Sequence, residues 1–175
     1  MQKDKKVKRH EDRKDLAGEH PFGDAGQLVL LFVFLIVWAA DSFFLKLTTQ
    51  YAIGFPGEIQ ISLMMITFLC SAYLASSGLR IVFTEVREQP AVITKGVFGI
   101  VRHPIYLGSI LFYLGLILST LSLLSLVVWF IIILFYNFIS SHEEKLLLQR
   151  FGRDYKDYMR QVPRWLPRLK KQQSV

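Results

Sequence analysis

The sequence predicts an all-α membrane protein with four transmembrane helices. The third and fourth spans form a helical hairpin, and a short helical tail follows on the cytoplasmic side. Three observations lead to this fold class. Apolar residues make up 52% of the 175 residues, which is high for a soluble domain. Charged residues still account for 20%, so apolar and charged residues are segregated along the chain. The net charge is +7, and almost all basic residues fall in three polar segments.

The first two predicted spans are residues 27–47 and 59–79. About 20 consecutive apolar residues, at a rise of about 1.5 Å each, cross a hydrocarbon core of roughly 30 Å. The first stretch reads QLVLLFVFLIVWAADSFFLKL and is interrupted only towards its end, by Asp41 and Lys46. Residues 48–57 contain two glycines and a proline, so we expect them to form a turn-rich connector.

Residues 104–141 are apolar over a length that predicts two further spans. As one helix they would extend about 57 Å, nearly twice the thickness of the hydrocarbon core. The most polar point near their middle is the sequence STLS at 119–122. We therefore expect spans at 104–118 and 122–141, joined at that point by a tight helical hairpin.

The distribution of basic residues predicts the orientation. The polar segments 1–26, 80–102 and 143–175 hold 7, 4 and 9 of the 21 Lys and Arg residues. Four spans put all three segments on one side, and the positive-inside rule makes that side cytoplasmic. We therefore expect a cytoplasmic arm at 1–26, a membrane domain at 27–175, and both termini in the cytoplasm. The arm lacks the apolar core of a cleaved signal peptide, and topology explains the basic charge without a nucleic-acid partner.

The tail is predicted to contain two helical pieces. Residues 143–150 continue the fourth span, and Gly152 ends that helix. Asp154 is expected to cap a short second helix that carries Tyr155 and Tyr158. Two prolines further along the tail stop this second helix.

A first candidate cluster is VRHPIYLG, at the entrance to the third span. Proline is favoured in the first turn of a helix, so Pro104 begins the span and His103 lies at its N-terminal edge. The N–H groups and positive dipole at such an edge favour a ligand carboxylate, and a ribose hydroxyl could also bind there. Arg and Tyr are also common as interfacial anchors, which is the alternative reading. A zinc site is not expected, because the four histidines lack ligand spacing and Cys70 is the single cysteine.

A second candidate cluster is the adjacent pair Glu143 and Glu144, directly after the fourth span. Their carboxylates lie near hydrocarbon, where an uncompensated charge is costly. Adjacent helical residues point about 100° apart, so at most one of the two faces a shared site. The pair therefore favours a functional role, with two solvated carboxylates as the alternative.

Five spaced elements occur in order between Pro90 and Pro167. They are Gly96-Val97-Phe98, Arg102-His103-Pro104-x-Tyr106-x-Gly108, Glu143-Glu144, Phe151-Gly152-x-x-Tyr155-x-x-Tyr158 and Val162-Pro163-Arg164-x-x-Pro167. Together they resemble the isoprenylcysteine carboxyl methyltransferase and phospholipid methyltransferase family, whose members are integral-membrane enzymes that use S-adenosylmethionine. The N-terminal half of the chain is similar to that family only as generic membrane spans.

The resemblance implies an S-adenosylmethionine pocket on the cytoplasmic side, roofed by the tail. Glu143 is the first candidate for the cofactor's polar groups and Glu144 the second. Glu143 and Arg164 are the candidates for a catalytic role, and Arg164 closes the tail over the pocket with Tyr155 and Tyr158. The residues implied to bind the cofactor are Pro90, Ala91, Val92, Ile93, Phe98, His103, Pro104, Ile105, Tyr106, Glu143 and Glu144.

The residue types match the chemistry of that cofactor. A helix N-terminus suits its carboxylate, and Glu143 suits its ammonium or ribose. The aromatic faces of Tyr106 and Phe98 suit the adenine or the sulfonium cation. Methyl transfer chiefly requires positioning, and a general base is needed only when the acceptor carries a proton.

The acceptor and two other functions stay open. In isoprenylcysteine members a basic residue is expected about one turn before the acidic pair, but Ile139 stands there and Asn137 is the nearest polar residue. We therefore expect a lipid-like or membrane-soluble acceptor with a carboxyl, amine or thiol group. One alternative is a membrane reductase of the sterol-reductase type that uses NADPH. Such reductases tend to have an acidic residue where Ser109 stands. The other is a non-catalytic membrane protein on the same scaffold.

Overall fold

The computed structural model describes residues 23–52, 54–84 and 91–167, and these residues form helices and turns without a strand. The predicted arm up to residue 22 and Pro90 lie outside the described residues. The elements are α1 (Gly23–Ala39), a π-helical turn (Ala40–Leu45), a 3-10 turn (Thr49–Ala52), α2 (Gly57–Thr84), a second 3-10 turn (Gly96–Gly99), α3 (Pro104–Thr120), α4 (Leu123–Phe151) and α5 (Arg153–Gln161).

Within the described part of the chain, three helical segments are long and apolar enough to cross a membrane. They are Ala25–Leu45, Gly57–Phe83 and Leu123–Phe151. α3 is also apolar but has 17 residues, so its length is about 26 Å at about 1.5 Å per residue. The described residues therefore confirm the all-α class and provide three candidate membrane spans, whereas the crossing of the membrane by α3 stays a prediction.

Two helices extend beyond the predicted spans. α1 begins at Gly23, four residues before the predicted start. Gly26 packs so closely on α4 that a Cβ there would lie 2.5 Å from the ring of Phe135. The hydropathy of the sequence around Gly26 does not predict this packing. α2 runs through Arg80 to Thr84, because arginine is a good helix former and does not end a helix.

The turn between α3 and α4 lies where the sequence predicts it. α3 ends at Thr120, and Leu121 adopts a left-handed conformation with φ of 55° while its N–H donates to the carbonyl of Ile117. The hydroxyl oxygen of Ser122 then caps α4, since it accepts a hydrogen bond from the N–H of Ser125 at 3.1 Å. The most polar point of the long apolar segment is thus the hairpin turn.

Close contacts join the four long helices. Gly108 lets α3 approach α2, since a Cβ there would lie 3.1 Å from backbone atoms of Ser71 and Ala75. α1 packs against α4 and also reaches α3, where the indole N–H of Trp38 donates to the carbonyl of Leu116 at 2.9 Å. The buried core consists of Phe34, Ile110, Tyr113, Ile117, Ile132, Tyr136 and Ile139.

We name the two ends of this bundle by what lies there. The hairpin end contains the turn between α3 and α4, and the tail end contains the start of α3, the end of α4 and α5. At the hairpin end, Asp41 is 1% exposed. Its carboxylate accepts hydrogen bonds from the backbone N–H of Thr48, at 2.9 Å, and from the hydroxyls of Thr48 and Ser122. One carboxylate therefore joins the π-helical turn, the connector and the hairpin.

At the tail end, Gly152 separates α4 from α5. Its φ of 52° lies in the left-handed region that favours glycine, and it ends α4 as predicted. The predicted cap of α5 is wrong, because Gly152 holds the N-cap position and Asp154 lies within the first turn. The helix resumes directly after the glycine and leaves no extended position for a side-chain cap. α5 carries Tyr155 and Tyr158, as predicted, and buries both.

Candidate functional site

Three segments that are far apart in the sequence meet at the tail end. They are the loop before α3, the part of α4 about two turns before its end, and the tail after Gly152. The two predicted clusters are in direct contact at several points, and one of these contacts joins His103 and Glu144, whose Nε2 and Oε1 atoms are 3.1 Å apart. The first cluster begins α3 as expected, with His103 at the N-cap position and Pro104 as the first helical residue.

Glu144 is the most enclosed carboxylate of this site, with 3% of its surface exposed. Its Oε1 accepts hydrogen bonds from Nε of Arg102 at 2.8 Å and from Nε of Arg164 at 3.1 Å. Its Oε2 accepts from Nη2 of Arg164. A buried carboxylate is costly unless it is paired, and here two guanidinium groups compensate the charge.

Glu143 has different surroundings from its neighbour. Its side chain is 14% exposed. Its Oε1 accepts a hydrogen bond from the hydroxyl of Tyr106, and its Oε2 lies 3.7 Å from Nδ1 of His103. The rings of Tyr106 and His103 stack in parallel with centroids 5.6 Å apart. Glu143 therefore presents a negative charge beside the aromatic faces of Tyr106 and His103.

His103 is a buried imidazole between the two carboxylates. Burial lowers the pKa of His103, and the positive charges of Arg164 and Arg102 act in the same direction. The hydrogen bond and the negative charge of Glu144 oppose this shift. The lowered pKa favours the neutral ring near pH 7, in which one ring nitrogen donates and the other accepts.

The tail is bound to the loop before α3 mainly through Arg102. The backbone N–H of Arg102 donates to the carbonyl of Pro163 at 3.0 Å. Its Nη1 donates to the carbonyls of Met159 at 3.1 Å and Val162 at 2.7 Å. These contacts fold the segment after α5 back over the start of α3.

Tyr158 adds a second connection between the tail and the loop. Its hydroxyl donates to the carbonyl of Phe98 at 2.7 Å. Tyr155 packs beside it with ring centroids 5.7 Å apart. Burial raises the pKa of both tyrosines, so both remain protonated hydrogen-bond donors at neutral pH. The predicted closing residues of the tail thus lie together at this end.

Trp165 and Asn137 belong to the site but were not among the predicted residues. The ring of Trp165 lies 5.8 Å from that of His103, and its indole N–H donates to Oδ1 of Asn137 at 3.3 Å. The same oxygen accepts from Nη1 of Arg164 at 3.1 Å. Asn137 lies two turns before Glu144 on α4, and the tryptophan next to Arg164 was the available signal for a second tail contact.

The other predicted residues are only partly brought together. Val92 packs against the buried cluster formed by Tyr155, Tyr158 and Val162, whereas Ala91 is exposed. Ile105 faces α2 instead of the carboxylates, since a Cβ on Gly78 would lie 2.7 Å from its side chain. Of the remaining predicted residues, Pro104 is buried, and Ile93 and Phe98 are half-buried.

Comparison with known proteins gives a consistent picture. The chain is 33% identical over 115 residues to the protein-S-isoprenylcysteine O-methyltransferase of Schizosaccharomyces pombe, covering 57% of this chain and 47% of that protein. It is 27% identical over 128 residues to a probable protein-S-isoprenylcysteine O-methyltransferase of Oryza sativa subsp. indica, covering 71% and 66%. It is 31% identical over 83 residues to protein-S-isoprenylcysteine O-methyltransferase B of Arabidopsis thaliana, covering 46% and 41%.

The chain thus spans about half to two thirds of the length of the curated relatives that it matches. The family model described as phospholipid methyltransferase matches residues 59–154, which is more than half of the chain. The matched region contains α2 except its first two residues, all of α3 and α4, and both candidate carboxylates of the tail end. The chain therefore belongs to the phospholipid methyltransferase family.

Proposed function

We propose that this protein is an integral-membrane methyltransferase that uses S-adenosylmethionine and methylates a lipid-like or membrane-soluble small acceptor. The single observation that carries the proposal is the meeting of Glu143, Tyr106 and His103 beneath the tail. Membership of the family supports methyl transfer over the NADPH-dependent reductase and the non-catalytic protein.

The residues at the tail end suit the cofactor. When bound, S-adenosylmethionine supplies an electrophilic methyl group on a sulfonium cation. Glu143 would hold its ammonium or ribose hydroxyls, because an ionised acceptor makes strong hydrogen bonds to such donors. The aromatic faces of Tyr106 and Phe98 would hold the adenine or the cationic centre.

The chain's own contribution to the reaction is positioning and the exclusion of water. The hydroxyl of Tyr106 holds one oxygen of Glu143 in place. The ring of Tyr106 also stacks on the ring of His103, and these two rings form the wall beside Glu143. The tail covers this wall through Trp165 and Arg164. Holding the two reactants at a fixed distance and angle supplies much of the rate acceleration in such a displacement.

The acceptor is proposed only as a class. Ile139, where isoprenylcysteine members are expected to have a basic residue, is 1% exposed in the core. A carboxylate acceptor would need no general base, whereas an amine or thiol would have to lose a proton. Supplying labelled S-adenosylmethionine to membranes that contain the protein, with total lipid and small thiols as acceptors, would identify the product by mass spectrometry.

We also propose that α3 crosses the membrane as the fourth span and that both termini are cytoplasmic. The grouping of basic residues on one side supports this orientation. A protease added outside intact cells should then cut neither terminus. Cleavage of either terminus from outside would contradict the orientation.

Cofactor binding tests the central proposal. Purified protein in detergent should bind S-adenosylmethionine at micromolar concentration by calorimetry, and Glu143→Gln should weaken binding about tenfold through loss of a charged hydrogen bond. Glu58→Gln is the matched control, because Glu58 is exposed at the start of α2. Binding of NADPH with no heat from S-adenosylmethionine would instead support the reductase.

A further inference from the structure

We propose that Glu144 is a positioning residue that latches the tail over the site, and that it governs how fast the cofactor leaves. We define the tail latch as Glu144 with Arg102 and Arg164. The inference rests on the proposed function, and it divides the acidic pair between two roles. Glu143 contacts the cofactor, whereas Glu144 holds the cover closed.

The carboxylate of Glu144 is already occupied by protein donors. Its Oε1 accepts hydrogen bonds from Nε of Arg102 and from Nε of Arg164, and it lies 3.1 Å from Nε2 of His103. Its Oε2 accepts a hydrogen bond from Nη2 of Arg164. With 3% of its surface exposed, this side chain has little room for a cofactor group.

The two arginines of the tail latch come from opposite sides of the site. Arg102 precedes α3, and Arg164 follows α5. Two guanidinium groups repel each other unless an anion lies between them, and Glu144 is that anion. Removing its charge therefore leaves the two guanidinium groups repelling each other, while Arg102 keeps its hydrogen bonds to the tail carbonyls.

The other contacts that hold the end of the tail on the bundle are weaker than the tail latch. The tail leaves α4 at Gly152, where a Cβ would meet open space, so no distant part of the protein packs against that side of the turn. Beyond α5 the other described ties are hydrogen bonds from Arg102, Arg164 and Trp165 to uncharged acceptors. Only in the contacts with Glu144 do both the donor and the acceptor carry a charge, which makes the hydrogen bond stronger. The tail latch is therefore the strongest tie of the last tail residues to the bundle.

Hydrogen exchange without cofactor tests the tail latch directly. In Glu144→Gln, amides of residues 159–167 should exchange about tenfold faster than in the parent protein, because tail opening costs less free energy. Glu58→Gln should leave this exchange unchanged, since Glu58 is exposed at the start of α2. Parent-like exchange in Glu144→Gln would overturn the proposal.

Cofactor kinetics give the second readout. Glu144→Gln should raise the dissociation rate of S-adenosylmethionine about tenfold with little change in its association rate, because affinity changes are mostly in dissociation. Glu144→Asp should restore part of the slow dissociation. A loss of binding in Glu144→Gln with parent-like tail exchange would mean that Glu144 is a ligand, and the proposal would be wrong.

Two controls separate the tail latch from general instability. Arg164→Gln, at a residue with a 27% exposed side chain, should open the tail as Glu144→Gln does. The double variant should add little to either single variant, because both remove the same contact. Asp41→Ala, which weakens the hairpin end, should lower the melting temperature without faster exchange in residues 159–167. If the parent protein bound no S-adenosylmethionine at all, the proposed function would be wrong. The exchange experiment would still test the tail latch, because it is done without cofactor.

Discussion

Among the residues that the structure describes, each end of the bundle buries one carboxylate, and the two carboxylates accept hydrogen bonds from different kinds of partner. Asp41 at the hairpin end accepts hydrogen bonds from two hydroxyls and a backbone N–H. Glu144 at the tail end accepts from two guanidinium groups and lies beside an imidazole. The first set of partners is neutral and the second is largely charged.

This difference indicates different purposes for the two ends. Neutral donors are enough to join the π-helical turn, the connector and the hairpin into one unit. A buried ionic cluster must offset a large desolvation cost and is weak grounds for stability alone. We therefore interpret the hairpin end as structural, and the tail end as an arrangement that sets charges around a site and holds a cover over it.

Removing the carboxylate of Glu144 should have the largest effect on stability. Glu144→Ala leaves Arg102 and Arg164 facing each other in a partly buried place, which should cost about 3 kcal/mol. The melting temperature in detergent, followed by tryptophan fluorescence, measures the loss. Glu143→Ala is the matched control and should lose less, because that side chain is more exposed. Equal losses for the two variants would remove the distinction between the carboxylates.

Removing the carboxylate of Asp41 should have the next largest effect. Asp41→Ala leaves three hydrogen-bond donors at the hairpin end without their acceptor, at a cost of about 2 kcal/mol. The same melting experiment measures it. S-adenosylmethionine affinity at a temperature where the variant is folded should stay at the parent value, since the tail end lies roughly 30 Å away along α4. A loss of affinity at that temperature would mean that the two ends are coupled.

A smaller effect is expected from the neutral tie within the tail end. Tyr158→Phe removes the hydrogen bond to the carbonyl of Phe98 and should cost about 1 kcal/mol. Tyr73→Phe, on the exposed face of α2, is the control and should melt like the parent protein. A Tyr158→Phe loss as large as that of Glu144→Ala would show that neutral contacts dominate the tail end.

The smallest expected effect is the pH dependence that His103 adds to the tail end. Burial, with Arg164 and Arg102, lowers the pKa of His103 below its usual 6.5, and Glu144 opposes the shift. The folded protein then binds a proton less readily than the unfolded chain. Stability that is present above about pH 6.5 is therefore lost as the pH falls towards the native pKa.

Melting curves between about pH 8 and about pH 5 measure this dependence. Several charged groups face the imidazole: Glu143 and Glu144 from α4, and Arg102 and Arg164 from the loop and tail. The part of the pH dependence that is lost in His103→Asn is therefore the part contributed by His103. That variant should flatten the slope below about pH 6.5. Asp41→Ala should keep the slope, because the change lies at the other end. A slope unchanged in His103→Asn would assign the titration to another group.

The sequence predicts those features that leave a local signal. The hairpin follows from four residues that interrupt a long apolar run, and the start of α3 follows from Pro104. The approach of Glu144 to His103 was expected only because charge and span count placed both on one side. The acidic pair itself gives no local sign of which member is enclosed, since that depends on Arg102 and Arg164, 42 residues before it and 20 after it.

Other features depend on contacts that no local pattern reveals. Asp41 looks like a charge near the end of a span, and its partner Ser122 is 81 residues away. α1 begins before the predicted span, in a stretch where Gly26 packs against Phe135. The cap of α5 was assigned to Asp154 by residue type, whereas the backbone of Gly152 already holds that position. Ser122 and Phe135 are tertiary partners, whereas the local backbone of Gly152 decides the cap of α5.

Because α3 is short, the thickness of the bilayer should affect how easily an acceptor reaches the site. With 17 residues it is about 26 Å long, against a hydrocarbon core of roughly 30 Å. If α3 crosses the membrane, either the lipid thins around it or head groups sink towards the start of the helix, each at a modest cost per Å. Both adjustments bring the polar part of a neighbouring lipid closer to Glu143. Short-chain lipids should then favour access of an acceptor to the site more than long-chain lipids do.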